Sequence, residues 1–232
     1  MSVTPELLSR FKLLQPLPRE VLENLAPHAV LARYARRKVV IEVGAREDRV
    51  CFLFEGRLQG VGHTIDGREA GLYFVEPGDF CGELALFDDN PQPEFVIASS
   101  AATVVFLARD ALREVMLNSS SVSNMVGRKL AGRVRQMTEQ RTLLGISDME
   151  QRVCCQLHLL IQGGEGRMGS DEIVNPPTHQ EIAIMLNITR ERVSRAFSAL
   201  QERRIVRRDG PGRLVIIDPD SLRRFAKGEE QL

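Results

Sequence analysis

The chain has 232 residues, 43% of them hydrophobic and 27% charged, so one or two domains with their own cores are expected and dominant disorder is excluded. Its 31 basic and 31 acidic side chains cancel, so the overall charge indicates neither a nucleic acid nor a membrane partner, and any such signal must be local. No apolar run approaches the ~20 residues that span a bilayer and no export signal opens the sequence, so we expect a cytoplasmic protein with no membrane partner.

The first part of the chain predicts a small antiparallel roll with helices packed on it. Ahead of residue 38, PELLSRFKLL and PREVLENLAPHA carry apolar residues three and four apart, with a proline near each helix start. From residue 38 to about 108, short β-branched or aromatic runs alternate with EG, DG and PG turns. We therefore expect residues 1–108 to form the first domain.

One long helix is expected over residues 109–145, because the segment lacks proline and is apolar at helical spacing. At ~1.5 Å per residue it would be about 50 Å long. A small roll cannot bury the whole stripe, so a helix from a second copy of the chain would cover it, and the alternative is a helix folded back on its own domain. We assign residues 109–147 to a dimerisation helix and hinge. The apolar positions are Val115, Val122, Val126, Leu130, Val134, Met137 and Leu144.

A second domain, residues 148–232, begins where SDME provides a helix start. Ser147 or Asp148 can cap that helix, and Glu150 can answer the cap. The expected order is a helix over 149–162, a Gly-rich link GGEGRMGS, a strand-like EIVN, two helices, and a terminal hairpin around a GPG turn.

The two helices of this domain predict a helix-turn-helix. Thr178 caps the first helix, Asn187 interrupts the pattern, and Thr189 caps the second. The positions that repeat at helical spacing, and that we expect to point inward, are Ile182, Met185, Leu186, Val193, Phe197 and Leu200. Two short helices joined by a tight turn are the unit that places its second helix in the DNA major groove.

The charges at the start of the second helix favour base recognition. The guanidinium fork of an arginine fits guanine O6 and N7, and a glutamate accepts from cytosine N4. Each such pairing favours the correct base over a wrong one by ~1 to 3 kcal/mol of binding free energy. Eight arginines against three acids lie between Thr189 and Arg213, a local basic patch in a neutral chain. An ordinary solvated face would leave the paired caps and the hairpin unexplained. The expected contacts to double-stranded DNA are Thr178, Thr189, Arg190, Glu191, Arg192 and Arg195.

Cysteines and histidines indicate no metal site. The cysteines show neither paired CxxC spacing nor the density of a disulfide-stapled domain, so we expect buried free thiols, and the four histidines are scattered. No nucleophile-base pair or carboxylate constellation has recognisable spacing, so we do not expect an enzyme. The cysteines are Cys51, Cys81, Cys154 and Cys155.

Two motifs resemble those of the cyclic-AMP receptor protein and FNR superfamily of bacterial transcription regulators. PGDFCGELALF at 77–87 is similar to its phosphate-binding cassette, and TRERVSR at 189–195 is similar to its recognition helix. The resemblance covers nearly the whole chain. It implies an α+β fold with an N-terminal cyclic-nucleotide-binding-type β-roll, a long dimerisation helix and a C-terminal winged helix-turn-helix. It also implies a homodimer that reads palindromes with TGTGA-like half-sites and works with RNA polymerase.

The same resemblance suggests a small nucleotide effector. The cassette glycine and Glu-Leu pair that hold the ribose phosphate match Gly82, Glu83 and Leu84. Where cyclic-AMP receptors use an Arg-Ser pair for the cyclic phosphate, this chain has Pro93 and Glu94. Proline offers no donor, and an ionised glutamate beside a phosphate is a like-charge contact.

Some members of the superfamily respond to cyclic di-GMP through an acidic residue in this cassette, and the departure at Glu94 resembles theirs. Glu94 could accept from a guanine amide and amine or, when protonated, donate. The resemblance therefore implies cyclic di-GMP as the preferred effector over cyclic AMP. Thr138, near the position that touches adenine across the family's dimer, is either a further effector contact or seam packing. Two alternatives stay open. The cassette could be a scaffold turn in a ligand-independent DNA-binding regulator, or the chain could be a nucleotide-binding scaffold whose C-terminal helices dock on protein.

Overall fold

A computed structural model describes residues 3–63, 69–162, 171–210 and 212–232 of the protein. The chain forms two compact units, Met1–Gln136 and Met137–Leu232. No helix in the described ranges is long and apolar enough to cross a membrane.

The first unit is the predicted antiparallel roll. It begins with two short helices, α1 (Pro5–Leu8) and α2 (Arg19–Leu25). The strands are β1 (Ala29–Tyr34), β2 (Val39–Ile41), β3 (Arg49–Glu55), β4 (Leu58–His63), β5 (Glu69–Val75), β6 (Phe80–Cys81), β7 (Phe95–Ala98) and β8 (Ala102–Ala108). They form two four-stranded sheets with the strand orders β1-β8-β3-β6 and β2-β7-β4-β5.

Apolar burial on both sides of the β1-β8-β3-β6 sheet holds this unit together. One core lies toward the helices, where the ring of Phe52 is 5.1 Å from Phe11 and 5.5 Å from Phe80. A second core includes residues of both sheets, among them Leu53 and Val96. Each fully buried side chain of this size contributes roughly 1.5 to 3 kcal/mol.

The expectation of one helix over 109–145 is wrong at its start. The segment forms α3 (Arg109–Asn118) and α4 (Ser120–Leu144), separated at Ser119, whose backbone is extended (φ −131°, ψ 107°). The Ser119 hydroxyl accepts the N–H of Val122 at 3.4 Å, because serine favours a helix cap over a helix interior. The long helix is therefore α4, with 25 residues and a length of about 37 Å.

The start of α4 packs on the roll. Val122 and Val126 are completely buried in the core that contains Phe52. Lys129 forms an ion pair with Asp79 and lies 5.1 Å above the ring of Phe80.

The elements of the second unit are α5 (Met149–Gln162), β9 (Glu172–Val174), α6 (His179–Leu186), α7 (Arg190–Glu202), β10 (Val206–Arg208), β11 (Arg213–Ile216) and α8 (Pro219–Lys227). Its three strands form a small sheet of order β10-β11-β9. Asp148 is the predicted cap of α5, since its Oδ1 accepts the N–H groups of Glu150 and Gln151 at 2.8 and 3.1 Å. The GGEGRMGS link and the central proline of the GPG turn lie outside the described residues.

Helix α8 was not predicted, although its boundary residues are in the sequence. Asp218 caps it, its Oδ1 accepting the N–H of Ser221 at 2.9 Å, Pro219 is its first residue and Gly228 closes it at φ 73°. Leu222 and Phe225 turn inward to the core of this unit.

Candidate DNA-binding surface and effector site

The helix-turn-helix is built by hydrogen bonds between residues close in sequence. The Thr178 hydroxyl accepts the N–H of Glu181 at 3.3 Å, and Glu181 accepts the N–H of Thr178 at 2.6 Å, which completes a capping box. Helix α6 ends at Asn187, which takes the left-handed conformation at φ 51°. The Thr189 hydroxyl then accepts the N–H of Arg192 at 3.4 Å and starts α7. The turn between the helices is therefore short and defined at both ends.

Helix α7 has one apolar and one charged face. The inward side is buried in the core of the unit and consists of Val193, Ala196, Phe197 and Leu200. The side chains that the sequence assigned to DNA on this helix are all exposed: Arg190, Glu191, Arg192 and Arg195. At 100° per residue, Glu191 and Arg195 lie near the middle of the exposed face, with Arg190 and Arg192 on opposite flanks.

Two arginines of the local basic patch are exposed but already have partners within the protein. Arg203 donates to the Gln231 carbonyl at 3.0 Å and lies 5.3 Å above the Phe225 ring. Arg213 is 3.6 Å from Glu172 and 3.9 Å from Asp209, so its charge is partly neutralised. The predicted patch is therefore smaller than the count of eight arginines indicates.

His179 belongs to this surface and was not predicted as a site residue. Its Nδ1 lies 2.9 Å from the Ser194 hydroxyl of α7, and its ring centroid is 4.5 Å from that of Phe197. The signal in the sequence was its position directly after the Thr178 cap.

The cassette turn has the backbone that its sequence requires. Gly82 is left-handed (φ 81°, ψ 17°), which glycine adopts without strain, and an added Cβ would lie 3.3 Å from Ile41. Glu83 is buried, and its carboxylate lies 3.2 Å from Nε of Arg133, with side-chain exposures of 7% and 14%. Leu84, the next residue, is 41% exposed and does not share the burial of Glu83 and Arg133.

Glu94 joins the same buried group through Tyr73. The Tyr73 hydroxyl donates to Glu94 at 2.7 Å, and the Arg133 guanidinium lies 3.0 Å from the centre of the Tyr73 ring. Burial raises the pKa of Glu94, against the Tyr73 hydrogen bond and Arg133, which lower it. Burial also holds the pKa of Tyr73 well above its usual range, so that its hydroxyl stays a donor. We call Tyr73, Glu83, Glu94 and Arg133 the roll cluster.

One buried donor atom of this cluster, Nη2 of Arg133, is unsatisfied within the described ranges, and so is the buried Nε2 of Gln59 on β4. Unsatisfied buried donors are costly in a folded protein, so they mark a place for a further acceptor. Arg133 and Tyr73 were missed as site residues. The available signal was Gly60 within the strand β4, since a Cβ there would collide with the Tyr73 ring.

Thr138 is exposed on α4 in the Met137–Leu232 unit, and its carbonyl accepts the Thr142 hydroxyl at 3.0 Å. Its assignment as an effector contact stays a prediction.

The cysteines are free thiols, three of them buried and Cys155 partly exposed. A hydrogen bond with Cys51, its partner across β3 and β6, and then burial hold the pKa of Cys81 well above its usual range. Burial raises the pKa of Cys154 to about 12. Among the residues that the structure describes, no group of three or more His, Cys, Asp or Glu side chains could hold a metal ion.

Known proteins share both halves of this arrangement. The cyclic nucleotide-binding domain family matches residues 31–119, and the Crp-like helix-turn-helix domain family matches residues 151–225. A CRP-like cAMP-activated global transcriptional regulator of Mycobacterium tuberculosis is 28% identical over 96% of this chain and 99% of its own length.

Solved structures show the same fold. FixK2 from Bradyrhizobium japonicum has a TM-score of 0.71 at 21% identity, covering 85% of this chain and 96% of its own. The c-di-GMP responsive global regulator CLP of Xanthomonas campestris has a TM-score of 0.64 at 20% identity, covering 86% of this chain and 99% of its own.

A cyclic nucleotide-binding roll, a long helix and an exposed, capped recognition helix define a DNA-binding transcription regulator. The relatives of Mycobacterium tuberculosis and Pseudomonas aeruginosa are transcriptional regulators of this type, which agrees with the expectation that the protein is not an enzyme. The chain belongs to the CRP/FNR superfamily of transcription regulators.

Proposed function

We propose that this protein regulates transcription as a homodimer that binds palindromic operators with TGTGA-like half-sites through α7. The observation that carries the proposal is the exposed set of charged side chains at the start of α7, held in place by a buried apolar face on the same helix. A guanine can be bound by the guanidinium fork of Arg190 or Arg195, and a cytosine can donate to Glu191. The cap at Thr178 sets the first residue of α6, and the cap at Thr189 sets the first residue of α7.

The test replaces Arg195 by alanine and measures binding to a TGTGA-N6-TCACA duplex. Losing one base contact in each half-site should lower affinity at least about tenfold and relax the preference for one guanine. Arg113→Ala is the matched control, since it removes the same charge from an exposed position on α3 in the other compact unit. If Arg195→Ala binds like the wild type, α7 is not the recognition helix, and a scaffold role for the C-terminal helices gains support.

The exposed apolar side chains of α4 support the homodimer. Val134 is 64% exposed, Met137 65% and Leu144 44%, and their spacing of three and seven residues places them on one stripe of the helix. A second copy covering this stripe would double the 26.0 kDa mass in sedimentation, and a palindromic operator requires that two-fold symmetry. A monomer at the concentrations that bind DNA would contradict this part of the proposal.

For the effector we favour cyclic di-GMP over cyclic AMP, with Gly82, Glu83, Leu84, Glu94 and Thr138 as its contacts. The relatives do not select one nucleotide, since the M. tuberculosis protein is cAMP-activated and CLP is c-di-GMP responsive. Glu94 supports the choice, because a carboxylate can accept from the guanine N1–H and amine but repels a phosphate. With both acids ionised, the roll cluster has two negative charges against the one charge of Arg133.

A ligand-independent regulator is the second candidate, and a specific observation favours it. Glu83 pairs with Arg133 and Glu94 accepts from Tyr73, so much of the polar capacity of the cluster is used internally. Titration with cyclic AMP, cyclic GMP and cyclic di-GMP, while operator affinity is measured, separates the candidates. An effect of cyclic di-GMP supports our choice, an effect of cyclic AMP alone contradicts it, and no effect of any nucleotide supports the second candidate.

Contacts with RNA polymerase follow from a role in transcription and stay a prediction. The same role places the protein with the chromosome, in the bacterial cytoplasm. Pull-down of purified RNA polymerase on operator DNA, with and without the protein, tests the contact.

A further inference from the structure

His179 is held at the start of α6 against the recognition helix. Its Nδ1 is within hydrogen-bond distance of the Ser194 hydroxyl, at 2.9 Å, and its half-buried ring stacks near Phe197 with an interplanar angle of 36°. These contacts occupy one ring nitrogen and one ring face. The second nitrogen, Nε2, takes part in neither.

The position of Ser194 places this imidazole on one side of α7. At 100° per residue, Ser194 lies about 40° around the helix from Arg190, whereas Arg192 lies on the opposite flank. A helix in the major groove presents the middle of its exposed face to the bases and its flanks to the phosphate-lined groove walls. His179 therefore extends the flank that carries Arg190.

The environment of the free protein keeps this imidazole neutral. Burial lowers the pKa of His179, and the positive charges of Arg208 on β10 and Arg190 on α7 lower it further. The partial positive charge at the start of α6 acts in the same direction. All three charge effects would be reversed or offset by an anion at this position.

We propose that His179 is a proton-linked phosphate contact. When the operator binds, the imidazole takes up one proton from solvent, Nδ1–H donates to the Ser194 hydroxyl, and Nε2–H donates to a DNA phosphate. The phosphates neutralise the field of Arg190 and Arg208, so the imidazolium becomes the favoured form in the complex. This inference rests on the proposed DNA binding by α7.

The expected direction follows from linkage. The free protein holds His179 neutral near pH 7 and the complex holds it protonated, so binding consumes protons and operator affinity rises as the pH falls. Each proton taken up changes the association constant by up to about tenfold per pH unit, and a symmetric dimer takes up at most two.

The experiment measures operator affinity by fluorescence anisotropy at fixed salt between about pH 6 and 8, where histidine titrates. We compare wild type with His179→Gln, which keeps an amide that can bond Ser194 but cannot be protonated. The wild type should bind more tightly at lower pH, and His179→Gln should lose most of that dependence.

His158→Gln is the matched control. Burial, Arg223 and Lys227 lower the pKa of His158 as well, but its Nε2 lies 3.0 Å from Gln162 on α5 and not on α7. This variant should keep the pH dependence of the wild type. Equal slopes for wild type and His179→Gln would overturn the proposal.

Calorimetry of the wild type in two buffers with different ionisation enthalpies counts the protons directly and does not depend on whether a variant folds. Uptake near pH 6.5 supports the proposal, and zero uptake overturns it. The two proposals fail differently. A wild type that does not bind the operator contradicts the proposed function, whereas binding without proton uptake contradicts only the role of His179.

Discussion

The recognition helix and the roll cluster hold their charged side chains in opposite ways. On α7 the charges are exposed, and the same helix supplies the buried apolar residues that fix their direction. In the roll, Tyr73, Glu83, Glu94 and Arg133 come from four separate segments and are held mainly by one another. A charge on α7 should therefore matter for binding and little for stability, whereas a charge in the roll cluster should matter for both.

The largest expected effect is on stability, when an arginine is replaced by alanine in each of the two regions. Arg133→Ala leaves the buried Glu83 carboxylate without its partner, which costs about 3 to 5 kcal/mol of unfolding free energy. Arg192→Ala removes an exposed guanidinium from α7 and should change stability by less than about 0.5 kcal/mol. Urea denaturation of both variants and wild type measures the difference.

The chain provides a probe for this comparison. It has no tryptophan, and both tyrosines, Tyr34 and Tyr73, lie in the Met1–Gln136 unit, so tyrosine fluorescence reports on the roll alone. Circular dichroism follows the helices of both units. Equal losses of unfolding free energy for Arg133→Ala and Arg192→Ala would show that the buried Glu83–Arg133 pair stabilises the fold no more than an exposed charge does.

A smaller effect is expected from the cap that starts the helix-turn-helix. Thr178→Ala removes one half of the capping box and should lower the unfolding free energy by about 1 kcal/mol, within a range of 0.5 to 2. Thr178→Ser keeps the hydroxyl and serves as the control. Circular dichroism during urea unfolding makes the measurement, and the tyrosine signal of the roll should not change. Loss of the roll signal in Thr178→Ala would contradict the independence of the two sites.

The contrast also explains what the sequence could predict. The caps Thr178 and Thr189 and the end at Asn187 act over three or four residues, so the helix pair and its exposed charges were readable from a local pattern. The roll cluster depends on pairing between distant segments, such as Gly60 beside Tyr73, and single-sequence periodicity does not give that register.

Two misses have a different origin. Apolar spacing continues from α3 into α4, so the pattern predicted one helix, while the serines around 119 to 121 favour a cap and break it. Helix α8 was missed although Asp218, Pro219 and Gly228 mark its two ends. In both cases the side-chain hydrogen bonds of a few polar residues set the boundary, and hydrophobic periodicity did not show it.

The smallest effect concerns Glu94, and it separates burial from charge within the roll cluster. The folded state raises the pKa of Glu94, chiefly through burial, so ionised Glu94 opposes folding. This loss of stability is absent below about pH 4.3, where the carboxyl is protonated in both states, and it grows as the pH rises through the folded pKa. Glu94→Gln should therefore unfold at higher urea than wild type at neutral pH, with the difference vanishing in acid.

Glu94→Gln preserves the shape of the side chain and an oxygen that can accept from the Tyr73 hydroxyl, so the comparison isolates the charge. Glu114→Gln is the control, because it removes the same charge from an exposed position on α3 in the same unit. A loss of stability for Glu94→Gln at neutral pH would mean that attraction to Arg133 outweighs burial. The ionised carboxylate would then be an integral part of the fold, and a guanine edge would meet an acceptor already committed to Arg133 and Tyr73.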